Sequence, residues 1–266
     1  MNITQNERDL QRIKDFRLMD DDFMTVVFDK DLDTTGFVVK TILKNDDIKL
    51  QSVEVQSEQK NLYGRSVKLD ILASDHNGRF FNVEIQRSDR GAGKTRARYH
   101  SSILDSNLLK SGDKDYYLPE TYVVFITEHD VMHKGLPMYH IERVIQETGE
   151  LFDDLEHIIY VNGSYIGDDP IGRLMHDFRT SNPEEMFSDV LRRKTSYFKE
   201  TEEGQTAMCR MMEEMRNEAA TVAAEKKTVE NYYALRTLDV PDSVLKERLG
   251  ITDDVLSKYP DLKPRQ

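Results

Sequence analysis

A chain of 266 residues is long enough to bury a sizeable core, either as one large domain or as one domain with a helical appendage. With 49 Asp and Glu against 37 Lys and Arg, a net charge of -12 and a pI near 5.1, it is not a protein that coats nucleic acid non-specifically, although an enzyme with a local basic track is not excluded. No apolar run approaches a membrane span, the amino terminus lacks the basic-then-apolar pattern of a secretory signal, and the single cysteine, Cys209, cannot close an intramolecular disulfide, so a cytoplasmic protein is expected.

Leu10, Ile13, Phe16 and Leu18, followed by Phe23, Val26 and Val27, are spaced for buried helical stripes, and Asp20, Asp21 and Asp22 break the pattern and cap a second helix. After Gly36 come a short apolar run at 37–43, a polar turn at Asn45-Asp46-Asp47 and an alternating strand at 48–57.

The stretch 68–86 carries the most chemistry. Asn77-Gly78 marks a turn, and the residues on both sides alternate apolar and polar as half-buried strands do. A three-residue loop, His76-Asn77-Gly78 with Gly78 left-handed, sets Asp75 against Arg79 and sorts the side chains cleanly. Leu69 then faces Ile85, Ile71 faces Val83 and Ala73 faces Phe81 on one side; Lys68 faces Gln86, Asp70 faces Glu84 and Leu72 faces Asn82 on the other. A two-residue turn would put Asp70 and Glu84 on opposite faces and split the apolar set. Two carboxylates facing across a strand pair repel, so a cation belongs between them, and a divalent metal is the natural candidate.

Residues 88–94 read as a loop rich in glycine and charge, and 95–109 as a helix with Arg96, Arg98 and Tyr99 near its start and Ile103, Leu104 and Leu108 toward the sheet. Arg87, Arg90, Lys94, Arg96 and Arg98 are opposed only by Asp89, which reads as a phosphate track. The continuous apolar run 121–127, bounded by Pro119, is a strand buried on both faces at the sheet centre, and 157–161 is a further strand.

Beyond Pro170 the pattern is helical: 171–178, then from Pro183, then 202–238. Met208, Met211, Met212 and Met215 fall at helical spacing, as adaptable core or as a surface that meets a partner. The segment 240–256 reads as two short helices around Gly250 with Thr252 as a cap; its acidity favours packing over helix-turn-helix contact with DNA. His129 and His133 lack the glutamate of a zinc-protease helix, so zinc is set aside. The expected class is α/β, with a domain at 1–168 and a helical C-terminal region at 169–266.

An Asp on one strand and Glu-x-Gln on the next, Asp70 and Glu84-Ile85-Gln86, resemble the PD-(D/E)XK nuclease superfamily. More narrowly, the segments 69–73, 82–86, 96–100, 122–126, 171–178 and 197–204 resemble its recombination-promoting nuclease and transposase family. The resemblance implies a restriction-endonuclease-like core, with a mixed central sheet flanked by helices, and a metal-dependent DNA endonuclease linked to recombination or mobile elements. It implies Asp70 and Glu84 as metal ligands with the carbonyl of Ile85, and Mg2+ as the ion with Mn2+ in substitution; from the basic run, Lys94, Arg96, Arg98 and Tyr99 are expected to contact the DNA backbone. The family's acidic residue on the first helix falls at Asp21 or at a neighbouring aspartate. Magnesium prefers carboxylate, water and phosphate oxygens, which agrees with phosphodiester hydrolysis.

One departure concerns Gln86, which stands where the superfamily usually has Lys. A neutral amide cannot neutralise phosphate charge, though it can orient water. Lys68, across from Gln86 in the deduced register, is the candidate for the missing charge; its plainer role is a salt bridge to Asp70 or Glu84, worth little if exposed. The alternative function is a catalytically weak or inactive nuclease fold that binds nucleic acid or protein, motivated by Gln86, the acidity and the methionine-rich helices, which also offer a surface for self-association.

Overall fold

Gly78 adopts a φ of 80° and its N–H donates to the Asp75 carbonyl at 3.0 Å, while the Asp75 N–H donates to the Arg79 carbonyl at 3.1 Å. A three-residue turn is the result. The buried Asp75 carboxylate braces it, accepting from the N–H groups of Asn77 and Arg79 and pairing with the Arg79 guanidinium at 2.6 Å. The computed structural model describes residues 4–61, 66–87, 89–109, 117–236 and 240–263.

Six strands form one mixed sheet: β1 (Leu50–Gln59), β2 (Val67–Asp75), β3 (Phe80–Gln86), β4 (Thr121–Thr127), β5 (Met138–Ile141) and β6 (Glu156–Asn162), in the order β1-β2-β3-β4-β6-β5. β3, β4 and β6 are mutually parallel and the remaining pairings are antiparallel. The hairpin β2–β3 pairs Ser74 with Phe80, Ala73 with Phe81, Leu72 with Asn82 and Ile71 with Val83, the register predicted from the side-chain alternation. β4 lies centrally and is buried except at Tyr122, as its unbroken apolar run requires.

Nine helices are described: α1 (Gln5–Asp15), α2 (Asp21–Phe28), α3 (Leu32–Leu43), α4 (Lys94–Leu108), α5 (Pro170–Arg179), α6 (Asp189–Glu200), α7 (Glu202–Leu235), α8 (Asp242–Leu249) and α9 (Asp253–Lys258). α4 connects β3 to β4 and packs on the sheet face that carries Phe125 and Tyr160. Because Glu84 pairs with Phe125 and Phe125 with Tyr160, Glu84 belongs to this same face and lies beneath α4. The polar side of the hairpin is therefore a roofed interior. The opposite side, with Leu69, Ile71, Ala73, Phe81, Val83 and Ile85, is buried as well.

The chain divides into two compact units, Met1–Met208 and Cys209–Gln266. α5 and α6 lie in the first unit with the sheet, whereas the sequence pattern groups them with the C-terminal helices from residue 169. Ring contacts explain their place: Phe178 of α5 lies 6.2 Å from Phe28 of α2, and Phe198 of α6 lies 6.3 Å from Phe23. Lys199 adds a tie, its buried ammonium donating to the carbonyls of Lys14, at 2.9 Å, Phe16 and Ser181. In the second unit Val229, Tyr232, Leu245 and Ile251 form a small core, Gly250 is left-handed at φ 61°, and Thr252 caps α9. Met208 and Met212 are buried and Met215 is exposed.

Two elements depart from the sequence expectation. The short apolar run at 37–43 is the second half of α3, whose start is set further back by the Asp31 cap on the Thr34 N–H at 2.7 Å. β5 was not expected at all. The predicted helical segment's last residues, 237 and 238, lie outside the described residues. Among the described residues no helix is long and apolar enough to cross a membrane.

Candidate active site

Below the last backbone pair, Ile71 with Val83, side chains take over the hairpin. The Asp70 N–H donates to Glu84 Oε1 at 3.2 Å, and the Ile85 N–H donates to Asp70 Oδ2 at 2.9 Å. Each acid satisfies a backbone donor of the other strand, which fixes both carboxylates where the strands would otherwise only repel through them. Gln86 Nε2 donates to the same Asp70 Oδ2 at 3.2 Å. The Gln86 amide lies over Gly91, where a Cβ would fall 2.0 Å from its Oε1, so this glycine is required for close approach.

Glu84 is fully buried and Asp70 largely so. The Asp70 carboxyl is pushed up to about 7, first by burial and then by the Glu84 charge, against the Ile85 hydrogen bond that lowers it. Asp21, at the start of α2, adds a smaller upward push and Arg96 a smaller downward one. The Asp21 carboxyl is itself raised, by burial and then by Asp22.

α4 brings two further groups. The Arg96 guanidinium stands 3.7 Å from Glu84 Oε2, within ion-pair reach but too far for a hydrogen bond, and Arg96 Nε donates to His100 Nε2 at 3.2 Å. An Nε2 that accepts leaves the proton of the neutral imidazole on Nδ1, the nitrogen 3.4 Å from Glu84 Oε1. Sequence reasoning missed His100 as a site residue. Its available signal was the one-turn spacing from Arg96 on the helix that follows the Glu84 strand.

Glu84 Oε2 and both amide atoms of Asn82 are buried and have no hydrogen-bond partner among the described residues. Polar atoms left this way are costly unless water or an ion meets them. A carboxylate oxygen of this kind beside a second acid is a donor set suited to a hard divalent cation. Among the described residues no cluster of three or more His, Cys, Asp or Glu could hold a metal, so Asp21 does not complete a third corner.

The residues predicted to meet nucleic acid divide into two groups. A cavity of about 510 Å³ is bordered by Lys68, Thr95, Arg96, Tyr99 and His100. Lys68 is exposed and forms no ion pair with Asp70, Glu84 or any other described residue. Its backbone pairs with Glu58 of β1, and the β2–β3 ladder stops before Lys68 and Gln86 meet. Lys94 and Arg98 are exposed on the other side of α4 and do not border the cavity. Arg87 is engaged by Asp20 at 2.9 Å and Glu128 at 3.7 Å, acids that Arg17 also holds, so it is part of an ion-pair network. Ser88 and the side chain of Arg90 lie outside the described residues.

Residues 36–165 match the family described as PD-(D/E)XK nuclease family transposase. Over this span the chain is similar to that family. No curated protein and no solved structure matches the chain. The matched span includes all six strands and, with them, Asp70, Glu84, Gln86 and Arg96; Asp21 and the segments 171–178 and 197–204 lie outside it. The mixed, helix-flanked sheet is consistent with a restriction-endonuclease-like fold, and nucleases of this superfamily generally use divalent metals.

Proposed function

We propose that the chain is a magnesium-dependent endonuclease that hydrolyses phosphodiester bonds of DNA, in the setting of recombination or mobile elements that the family description suggests. One observation carries the reading: Asp70 and Glu84 are locked across one hairpin, and Glu84 Oε2, without a hydrogen bond among the described residues, lies 3.7 Å from Arg96, which with Lys68 borders a cavity. Two acids buried together repel and carry a desolvation cost that an amide pair would avoid, whereas metal-assisted hydrolysis makes use of them.

Asp70 and Glu84 would hold Mg2+, or Mn2+ in its place, and the Ile85 carbonyl would add an oxygen. A bound divalent cation acidifies water and stabilises the charge that develops on phosphate. Gln86, anchored on Asp70, orients the attacking water by its amide without contributing charge. Lys68 supplies an ammonium at the cavity edge, and Arg96, reaching from Glu84 toward solvent, can exchange the carboxylate for a phosphate. Tyr99 lines the route of the same strand.

The test is nicking of supercoiled plasmid by the wild type, Asp70→Ala and Glu84→Ala, each with Mg2+, with Mn2+ and with chelator. Nicking is expected from the wild type with either metal and from no other combination; equal activity in all of them overturns the assignment. The Arg96–Glu84 contact favours a second reading, in which a guanidinium balances the carboxylate permanently and the fold binds DNA or a protein without cutting. Metal-independent DNA binding with no nicking decides for that reading.

A further inference from the structure

A second cavity, of about 410 Å³, adjoins the first at Tyr99 and continues along α4. Lys60 and Asn61 form one wall, and Ser102, Ile103, Ser106 and Asn107 form the other. Arg96, Tyr99, Ser102, Ile103 and Ser106 follow at helical steps of three and four, so one stripe of α4 faces both cavities. In a chain with 49 acids, no described residue bordering either cavity is Asp or Glu, while Lys60, Lys68 and Arg96 are cationic.

The walls are set rather than loose. Asn61 Nδ2 donates to the Tyr99 hydroxyl at 3.0 Å, and Asn107 Nδ2 donates to the Ile103 carbonyl at 2.7 Å and to the Lys60 carbonyl at 3.4 Å. The Lys60 ammonium and the Ser106 hydroxyl have no partner among the described residues, so their donors are uncommitted at the cavity wall.

We propose that this stripe is the bed of a single, unpaired DNA strand. One phosphate lies at Lys68 and Arg96 next to the two acids, a neighbouring phosphate lies at Lys60, Ser106 bonds the backbone between them, and a base stacks on Tyr99. Positive charge interleaved with an aromatic ring is how single strands are held without regard to sequence. A duplex presents its phosphates on a convex cylinder with the bases stacked inside, whereas these are concave spaces of small-molecule size walled in part by the buried Ile103 and His100. The inference rests on the endonuclease reading and narrows its substrate to unpaired segments.

The experiment measures binding of a labelled oligonucleotide to the full chain in chelator, as a single strand and as the same sequence in duplex, with thermal melts of every variant. The single strand is expected to bind roughly tenfold more tightly, and two variants each to weaken it about tenfold: Lys60→Glu by reversing a charge contact and Ser106→Glu by setting a carboxylate against the backbone. Lys60→Gln gives a smaller loss in the same direction and guards against misfolding of the charge reversals. Lys94→Glu and Arg98→Glu, on the other side of α4, weaken binding less than either groove variant. A duplex that competes as well as the single strand, or Lys94→Glu and Arg98→Glu weakening binding more than the groove variants, overturns the proposal. A wild type that nicks plasmid but whose strand binding ignores the groove overturns this inference and leaves the endonuclease reading intact. Groove-dependent binding without any nicking does the reverse.

Discussion

The backbone N–H of Asp70 ends on Glu84 Oε1, 3.2 Å away, so one acid of the pair is held in position by the other. The reciprocal bond, from Ile85 to Asp70 Oδ2 at 2.9 Å, closes the arrangement. Strand geometry and site geometry are the same set of bonds here.

That coupling makes stability depend on pH in a definite sense. The Asp70 carboxyl is raised from 3.8 to about 7, so between those values the folded chain retains a proton that the unfolded chain has lost. The contribution is complete below the lower value and disappears as pH rises through the upper one. In chelator, the melting temperature of wild type relative to Asp70→Asn is expected to fall across this window and to level off above it. A difference that is constant with pH would show that burial does not raise this group.

Gln86→Lys would set an ammonium beside Asp70 and favour its ionised form, by roughly one to three pKa units for a close opposite charge. The pH at which Mg2+-dependent nicking reaches half its maximum is expected to move down by about one unit or more. If Lys68 supplies the charge that Gln86 lacks, Lys68→Ala lowers nicking about tenfold in the wild type and less in the Gln86→Lys background. Full activity in Lys68→Ala ends that role.

Gly91→Ala tests the seat of Gln86 from behind. The added methyl falls 2.0 Å from Gln86 Oε1, so the amide must swing away and lose its bond to Asp70. Nicking is expected to drop by about tenfold, the worth of one such hydrogen bond, with the melting temperature nearly unchanged. An unaltered rate would mean that Gln86 does not orient the water.

Lys199→Met tests the frame away from the site. It leaves three carbonyls, of Lys14, Phe16 and Ser181, without their buried donor and should cost about 2–4 kcal/mol. For a chain of this size that is a fall of roughly 4–16 °C in melting temperature. Nicking at 25 °C by the surviving folded protein should match wild type.

The hairpin was legible because two short-range rules agree at it: Gly78 permits the left-handed turn, and the alternation from Leu69 to Ile85 allows one register only. The β4 run, apolar at nearly every position, was legible for the same reason. β5 was not, because four residues of mixed burial, Met138–Ile141, earn their strand state from the neighbour β6 and not from a pattern of their own. The roof over Glu84 was hidden too, since Arg96 and His100 reach it only after the β3–α4–β4 crossover has formed. Arg87 belonged to a convincing basic run, yet Asp20 and Glu128, distant in sequence, had prior claim on it.

The interlocked hairpin end also says what folding by itself would have selected. An asparagine at position 70 and a glutamine at position 84 would accept the same two backbone protons with their amide oxygens. They would do so without mutual repulsion and without the expense of hiding charge from water. Selection for a well-zipped hairpin therefore leads to an amide pair, and the acids that stand there instead are what the proposed metal site would demand of the architecture.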